Sequence, residues 1–527
     1  MNPIPTNSMS VRVGFIPTLS QNAPPPFIPI YKQLIHRFMP KTTILYYLSR
    51  LSFALFLLYV IILPFEKRHF FEFGMVRLIS GFNEWLTVSL YASDIVLLAL
   101  IALVLVQFTI RIITKTPRPA KLDKVLLFAA IALIGLSIAT VFLPEVYIKT
   151  IAWYRVAVLT GALFLFFYTT AIRSTYKIAA TLGVLLISGA FQAILALFQF
   201  TLQRSLGLKI LGEIDTSPFI FNVPKIVIDN TRIIRSVGTF PHANLLGMFL
   251  VIATVAGMLL TILLYKKRKN SQKSTTLTLF GTKKTALTLP LTSGVLSVAY
   301  FGTLFCTLLS TVGVFLSFSR TALASLIIAW ALLLLFGLAK TLKGKIKSKQ
   351  ILYPIGTLLL ATVILGMIFL PFFTNRMTLG DSNGDMALSQ RQFLTDVSYD
   401  FITYSPFVGI GMGNFIYTMS IYYFGLEDWV YQPVHNLYLL ITAEIGLMGL
   451  GILLIILLRV VKRLYIAIQK KGKITLPMLF SIILGSILIF AGFFDHYFWS
   501  IRQGIMLFWL TLGIVFVLPY IKKQPRR

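Results

Sequence analysis

His435, in Val434-His435-Asn436-Leu437-Tyr438, closes a long polar interruption between two apolar runs. Histidine is the side chain whose ordinary pKa lies near neutrality, so it can take and return a proton there. The next apolar run carries Glu444 with Gly446 and Gly449; an acid inside such a run is costly and is a functional candidate by default. On a straight helix Glu444 lies roughly 13–14 Å deeper than His435 and on nearly the opposite face, so it is not expected to orient the imidazole directly. Three arginines, Arg235, Arg320 and Arg391, recur beside apolar runs. Arginine stays charged and its planar fork matches phosphate oxygens in two-point contact. Arg320 has only hydroxyls beside it in Ser317-Phe318-Ser319-Arg320-Thr321, where an unpaired charge is costly; a snorkelling arginine or a pair with Glu444 are its simpler readings. A base beside several cations has the parts to transfer a group from a phosphate-activated lipid to a hydroxyl.

The elements that must position these residues are membrane helices. Of 527 residues, 57% are hydrophobic and 12% charged, too little polar surface for a soluble globule. Runs long enough to cross a bilayer, about 20 residues each, fall near 44–64, 93–113, 124–143, 151–171, 178–200, 243–265, 293–317, 321–339, 351–373, 436–459, 475–495 and 501–520. The expected fold is all-α, a polytopic membrane protein of about 12 transmembrane helices in a membrane domain spanning 44–520. The formal charge of +31 is no sign of nucleic acid, because Lys and Arg concentrate in alternate loops. They cluster after the second, sixth, eighth and tenth runs and at the chain end, for example Lys266, Lys267, Arg268 and Lys269. Such loops are cytoplasmic under the positive-inside rule, which puts both termini inside and the chemistry outside.

Three outward connections are long, at 65–92, 201–242 and 374–435, and length there suggests structure with a job. The first mixes Phe70, Phe71, Phe73 and Trp85 with Glu66, Lys67, Arg68 and Arg77, suiting either an interfacial amphipathic helix or a packed hairpin. The second has a β-leaning stretch from Thr216 to Ile234 and ends in Arg235-Ser236-Val237-Gly238-Thr239-Phe240-Pro241-His242-Ala243-Asn244. The third has a helical period from Arg391 to Ile402 and continues into Gly409-Ile410-Gly411-Met412-Gly413. That glycine run lacks the strand-then-helix context and the Lys-Ser/Thr of a nucleotide loop, so its glycines are expected to supply turns and close packing. Residues 1–43, proline-rich with no signal-like apolar core, are expected to be a disordered cytoplasmic tail, and 521–527 a basic one. Cys306 is the single cysteine, so a thiolate metal site is not available; Asp381 and Asp385 lack an EF-hand pattern. His496 beside Asp495 is a second candidate proton carrier after His435.

The ordered set of Arg235, Gly238-Thr239-Phe240 and Asn244, then Ser319-Arg320-Thr321-Ala322, then Arg391 with Ser405-Pro406-Phe407-Val408-Gly409-Ile410-Gly411-Met412-Gly413-Asn414-Phe415, then His435-Asn436-Leu437-Tyr438 and Glu444-Ile445-Gly446-Leu447 resembles the signature of the O-antigen ligase and polymerase-like superfamily. The resemblance implies a metal-independent glycosyltransferase of C-type architecture, without cofactor, acting on the outer face of the cytoplasmic membrane. It implies a polyprenyl-pyrophosphate-linked glycan as donor and a hydroxyl of a glycolipid, growing glycan or protein as acceptor. Arg235, Arg320 and Arg391 would grip the pyrophosphate, with Asn244, Asn436 and Glu444 in the substrate-binding set. His435 would activate the acceptor for attack at the anomeric carbon, with inversion. Ala243 departs from a proline common in the family before the asparagine.

The competing class is a transporter or flippase for lipid-linked or anionic sugars, which predicts polar groups spread through the bilayer and discontinuous helices near its midplane. The orientation is open to a direct check. A Lys273→Cys variant in a Cys306→Ala background should stay unlabelled by an impermeant thiol reagent on intact cells, and strong labelling from outside would overturn the topology.

Overall fold

The computed structural model describes residues 41–78, 81–116, 122–172, 174–220, 223–228, 231–270, 275–280, 287–291, 293–342, 349–377 and 382–521. Nearly all of the expected tails at 1–43 and 521–527 and the turn residue Asp381 lie outside the described residues. Contacts divide the chain into two compact units, Met1–Arg50 and Leu51–Arg527. The described part of the first is the opening of helix α1 (Lys41–Ile62).

The remaining helices, in order, are α2 (Ala92–Ile113), α3 (Lys124–Val141), α4 (Lys149–Ala171), α5 (Thr175–Leu202), α6 (Ala243–Asn270), α7 (Ser293–Leu316), α8 (Arg320–Leu342), α9 (Lys349–Met377), α10 (Ser382–Tyr404), α11 (Phe415–Tyr422), α12 (Leu437–Lys471), α13 (Leu476–Gly492), α14 (Tyr497–Ser500) and α15 (Arg502–Val517). Among the described residues, eleven helices are long and apolar enough to cross a membrane, as expected of an all-α polytopic protein. The helix in the eleventh expected run, α13, is apolar but has 17 residues, because the chain leaves the helix before Asp495. Helices α6 and α15 are buried nearly all round, whereas α2 and α9 are mostly exposed to the surroundings. Helix α6 packs on α5, α7, α8, α9 and α13, and α15 on α4 and α13. Apolar burial gives helices no net attraction inside lipid, so close backbone approach must do so. At Gly189 of α5 a Cβ would stand 2.5 Å from that of Ala253 in α6, and at Gly257 of α6 2.2 Å from Thr307 Oγ1 in α7.

Among the described residues, three antiparallel hairpins interrupt the helices. Strands β1 (Arg68–Leu78) and β2 (Gly81–Tyr91) fill the first of the three long connections, with Arg68 opposite Tyr91. The interfacial helix considered for this loop does not form. The period from Trp85 to Tyr91 is two, with Leu86, Val88 and Leu90 alternating with Thr87, Ser89 and Tyr91, and that suits a strand. Strands β3 (Lys225–Ile228) and β4 (Thr231–Ile234) form the small hairpin before Arg235, and β5 (Thr275–Phe280) pairs with β6 (Leu287–Leu291).

Helix α12 is broken at Ile445 and at Gly446, where φ is +70°. The segment 406–411 closes the break. Ile410 and Gly411 N–H donate to the carbonyls of Ala443 and Glu444 at 2.9 Å, and Leu447 and Met448 N–H donate to those of Pro406 and Phe407 at 2.8 and 3.2 Å. Gly409, Gly411 and Gly413 all have positive φ, a backbone that only glycine adopts without strain. A Gly446→Ala variant should therefore leave little folded protein: its Cβ would meet the Phe407 carbonyl oxygen at 2.0 Å, and the left-handed backbone alone costs about 1–2 kcal/mol. Gly451→Ala, with nothing within 4 Å, is the matched control. Equal melting temperatures of the two variants in detergent would refute this account of the break.

Candidate functional site

Segments remote in sequence meet where α6, α8 and α12 begin and α13 ends. The stretch before α6 is pinned by two buried glutamines of α5. Gln199 Oε1 accepts the N–H of Val237 and Gly238 at 3.1 and 2.8 Å, and Gln192 Oε1 that of Thr239 at 2.9 Å. This fixes Arg235, whose Nε donates to the Ser317 carbonyl at 3.0 Å and whose Nη2 donates to Asn244 Oδ1. The turn from α7 to α8 passes through Phe318 at φ +46°, a strained backbone for a bulky residue. Its ring is held 5.6–5.9 Å from those of Phe200, Phe369, Phe372 and Phe373. The turn sets Arg320 as the first residue of α8, exposed and with no hydrogen bond or ion pair among the described residues. Arg391, on α10, is near enough to Arg320 and Asp495 to feel both charges. Burial, assisted by Arg320 and opposed by Asp495, holds its pKa below the ordinary arginine value.

The hub is Asp495, in the turn after α13 and 3% exposed. Its Oδ2 accepts from Asn244 Nδ2 at 2.7 Å, and its Oδ1 accepts the N–H of His496 at 2.9 Å. His435 Nδ1 stands 3.6 Å from the same Oδ1. That is an ion-pair distance rather than a formed hydrogen bond, and Nδ1 is otherwise buried without a partner. Burial pushes the Asp495 carboxyl up, but His435, then His496 and His242, hold it far below the usual carboxylate range. The His435 and His496 rings are 5.0 Å apart, and His496 Nδ1 shares a hydrogen bond with Ser500 Oγ.

Two expected ligands are already engaged. Asn436 caps α12, its Oδ1 accepting the N–H of Tyr438 and Leu439 at 2.9 and 3.1 Å, which leaves its amide nitrogen. Glu444 accepts the indole N–H of Trp499 at 2.8 Å and the backbone N–H groups of Gly413 and Phe415; it ties the glycine-rich segment to α12 and does not pair with Arg320. Asp495 as the partner of His435 was not foreseen, although an acid closing an apolar run is itself a signal. Gln192 and Gln199, polar and buried in α5, carried the same signal.

His435, Asp495 and His496 bring ligand atoms within 4.8 Å of one another. Both Asp495 oxygens and His496 Nδ1 already have hydrogen-bond partners, so the donor set fits a hydrogen-bonded relay better than a metal centre. The relay lies among three arginines with Asp495 as their nearby acid, an arrangement with surplus positive charge. It can hold a polyanion next to an imidazole.

Residues 305–454, from α7 into α12, match the family model described as O-Antigen ligase. The match supports the O-antigen ligase and polymerase-like superfamily and, with it, glycosyl transfer by a multi-pass membrane protein. No curated protein matches the chain.

His496 is pushed down to about 3 from its ordinary 6.5, first by burial and then by His435, His242 and Arg391, against the pull of Asp495. It is thus neutral at physiological pH and a poor base. Between those values the unfolded chain binds a proton that the folded one refuses, so stability falls as pH drops from about 6.5 toward about 3. The contribution of Asp495 is lost only as pH falls below the ordinary 3.8 of its carboxyl. His496→Gln should flatten the fall of melting temperature between pH 6.5 and 4.5, and an unchanged slope would show that another group carries it.

Proposed function

We propose that this protein transfers a glycan from a polyprenyl-pyrophosphate-linked donor to an acceptor hydroxyl at the extracytoplasmic face of the cytoplasmic membrane, with both termini inside. The observation that carries the reading is that one buried carboxylate, Asp495, contacts the candidate base His435 directly and Arg235 through Asn244. A base and an anion-binding group are thereby held in one rigid frame.

With Nδ1 turned toward Asp495, His435 carries its proton there and offers Nε2 to the acceptor, the division of roles that a buried aspartate imposes on a catalytic imidazole. Nε2 removes the hydroxyl proton as the acceptor oxygen bonds to the anomeric carbon. The bond from that carbon to the phosphate oxygen breaks, and its electron pair leaves with the pyrophosphate. Arg235, Arg320 and Arg391 stabilise the charge that develops on the leaving group, and Arg320 and Arg391 are the two with charge to spare. Asn244 and the amide of Asn436 hold substrate or frame, while Glu444 acts through the segment it anchors. Attack opposite the leaving group inverts the anomeric centre.

The break in α12 bears on the competing transport reading, because unwound backbone in a transporter faces its cargo. Here the freed groups are taken up by 406–411. The loop that closes the break meets Thr140 in the last turn of α3 through Met412 N–H, at the helix ends rather than mid-bundle. The site suits surface chemistry.

Donor binding and single-turnover transfer in purified protein separate the roles. His435→Ala should lower transfer by about two to four orders of magnitude with donor binding intact. Arg320→Lys keeps the charge and loses the fork, so it should weaken donor binding while the protein still inserts and folds. Transfer at the parental rate in His435→Ala would eliminate the base, and unchanged donor binding in Arg320→Ala would remove that arginine from the site.

A further inference from the structure

A cleft opens beside the relay, with Pro241 and Ser500 in its lining. One wall is strand β2, whose period of two turns Trp85, Thr87, Ser89 and Tyr91 to the same side; the other is the second turn of α4, with Tyr154 and Arg155, and the start of α15. The hairpin wall is rigid. Arg68 bonds to Glu66 and Glu84 at 3.1 Å and to Tyr91 at 3.0 Å, and Arg502 reaches from α15 to Ser93 at 2.7 Å and to Asp94. Burial raises Glu66 to about 8, with Arg68 opposing.

Three features of the lining ask for a ligand rich in hydroxyls. The Ser89 hydroxyl, in a residue 5% exposed, has no hydrogen-bond partner among the described residues, nor has that of Tyr154; such groups are rarely left unsatisfied. Arg155 is held by the carbonyls of Ser500 and Trp85 and forms no ion pair among the described residues, so it keeps donors without bringing a counter-charge. Trp85 offers an apolar indole face that suits the C–H face of a pyranose, with polar groups around it to fix orientation. Its ring is 5.4 Å from that of His496, which is 5.0 Å from that of His435, so the indole stands one ring away from the candidate base.

We infer that this cleft is a saccharide subsite for the acceptor, with Trp85 as its stacking platform and Ser89, Tyr154 and Arg155 as its hydroxyl ligands. The acceptor assignment rests on the proposed transfer. Trp85 stands one ring away from His435, the group that takes the acceptor proton in that reading. Saccharide binding in the cleft does not need that premise.

The test uses purified full-length protein in nanodiscs, with two probes measured separately by calorimetry without turnover. One is the oligosaccharide released by mild acid from the producing cell's own envelope; the other is sugar-free polyprenyl pyrophosphate. Trp85→Ala should weaken oligosaccharide binding at least tenfold. Tyr154→Phe, which keeps the packing and removes one hydroxyl, should weaken it about threefold to tenfold. Polyprenyl pyrophosphate should bind both variants as it binds the parent. Unchanged oligosaccharide affinity in both variants overturns the subsite, as does inorganic phosphate competing for it. Equal loss of both probes overturns the acceptor assignment. A parent that binds the oligosaccharide through Trp85 but transfers nothing would leave the subsite standing and sink the transfer reading.

Discussion

The closure of the broken helix α12 by segment 406–411 is the constraint on which the rest depends. Buried in a membrane protein, an unpaired backbone group costs several kcal/mol, so α12 can change direction at Gly446 only if another chain supplies donors and acceptors in register. Pro406, Phe407, Ile410 and Gly411 supply four such bonds, and the Glu444 side chain binds the continuation at Gly413 and Phe415. The same strap is held to α3 by Met412 and by Asn414, whose amide donates to the Glu145 carbonyl at 2.9 Å. The first turns of α12, and with them His435 at its entrance, therefore inherit their position from a loop more than twenty residues earlier. This also accounts for the burial of an acid: Glu444 anchors backbone N–H groups and an indole.

A second economy is visible in the charges. Burying an ion is tolerated when its partners are strong and fixed, and Asp495 has an amide, a backbone N–H and an imidazole around it. Its charge reaches Arg391 and His435, while Arg320 is exposed with no counter-ion among the described residues. The balance is uneven in the direction that attracts a polyanion, and the field should be strongest where donors converge in a partly desolvated notch. By contrast Arg68 and Arg502, also deep, are neutralised by Glu84 and Asp94. They stiffen the hairpin and contribute little field.

Much of this was legible in the chain. All twelve apolar runs became helices, eleven of them long enough to cross, because a bilayer demands about twenty residues of internal hydrogen bonding, and that demand is written in composition. The glycine run 409–413 was readable as turn and packing because it lacked the neighbours of a phosphate loop. The identity of the three arginines and of His435 as one neighbourhood came from their common position at run ends. What composition could not carry was pairing. Asn244 to Asp495 joins residues 251 apart, and no local pattern names that partner. Phe70 to Trp85 could be placed on a helix or a hairpin because aromatics are compatible with both. Glu444 was readable as a candidate ligand but its hydrogen bonds to Trp499, Gly413 and Phe415 were not, since an acid inside an apolar run signals only that something compensates it.

The contrast between His435 and His496 shows how a single carboxylate distributes roles. Both imidazoles lie beside Asp495, one 3.6 Å and the other 3.9 Å from Oδ1. His496 is enclosed, holds Ser500 through Nδ1 and packs its ring against Trp85, so burial keeps it neutral and its geometry makes it a wall. His435 keeps 17% of its side chain exposed and has Nε2 unengaged among the described residues, so a proton taken there can reach solvent. Proximity to an acid does not choose the base; access does. The same argument orders the arginines, because Arg235, bonded to Ser317 and Asn244, frames the site, while the guanidinium groups of Arg320 and Arg391 have no hydrogen-bond partner among the described residues, as the proposed grip on a pyrophosphate requires.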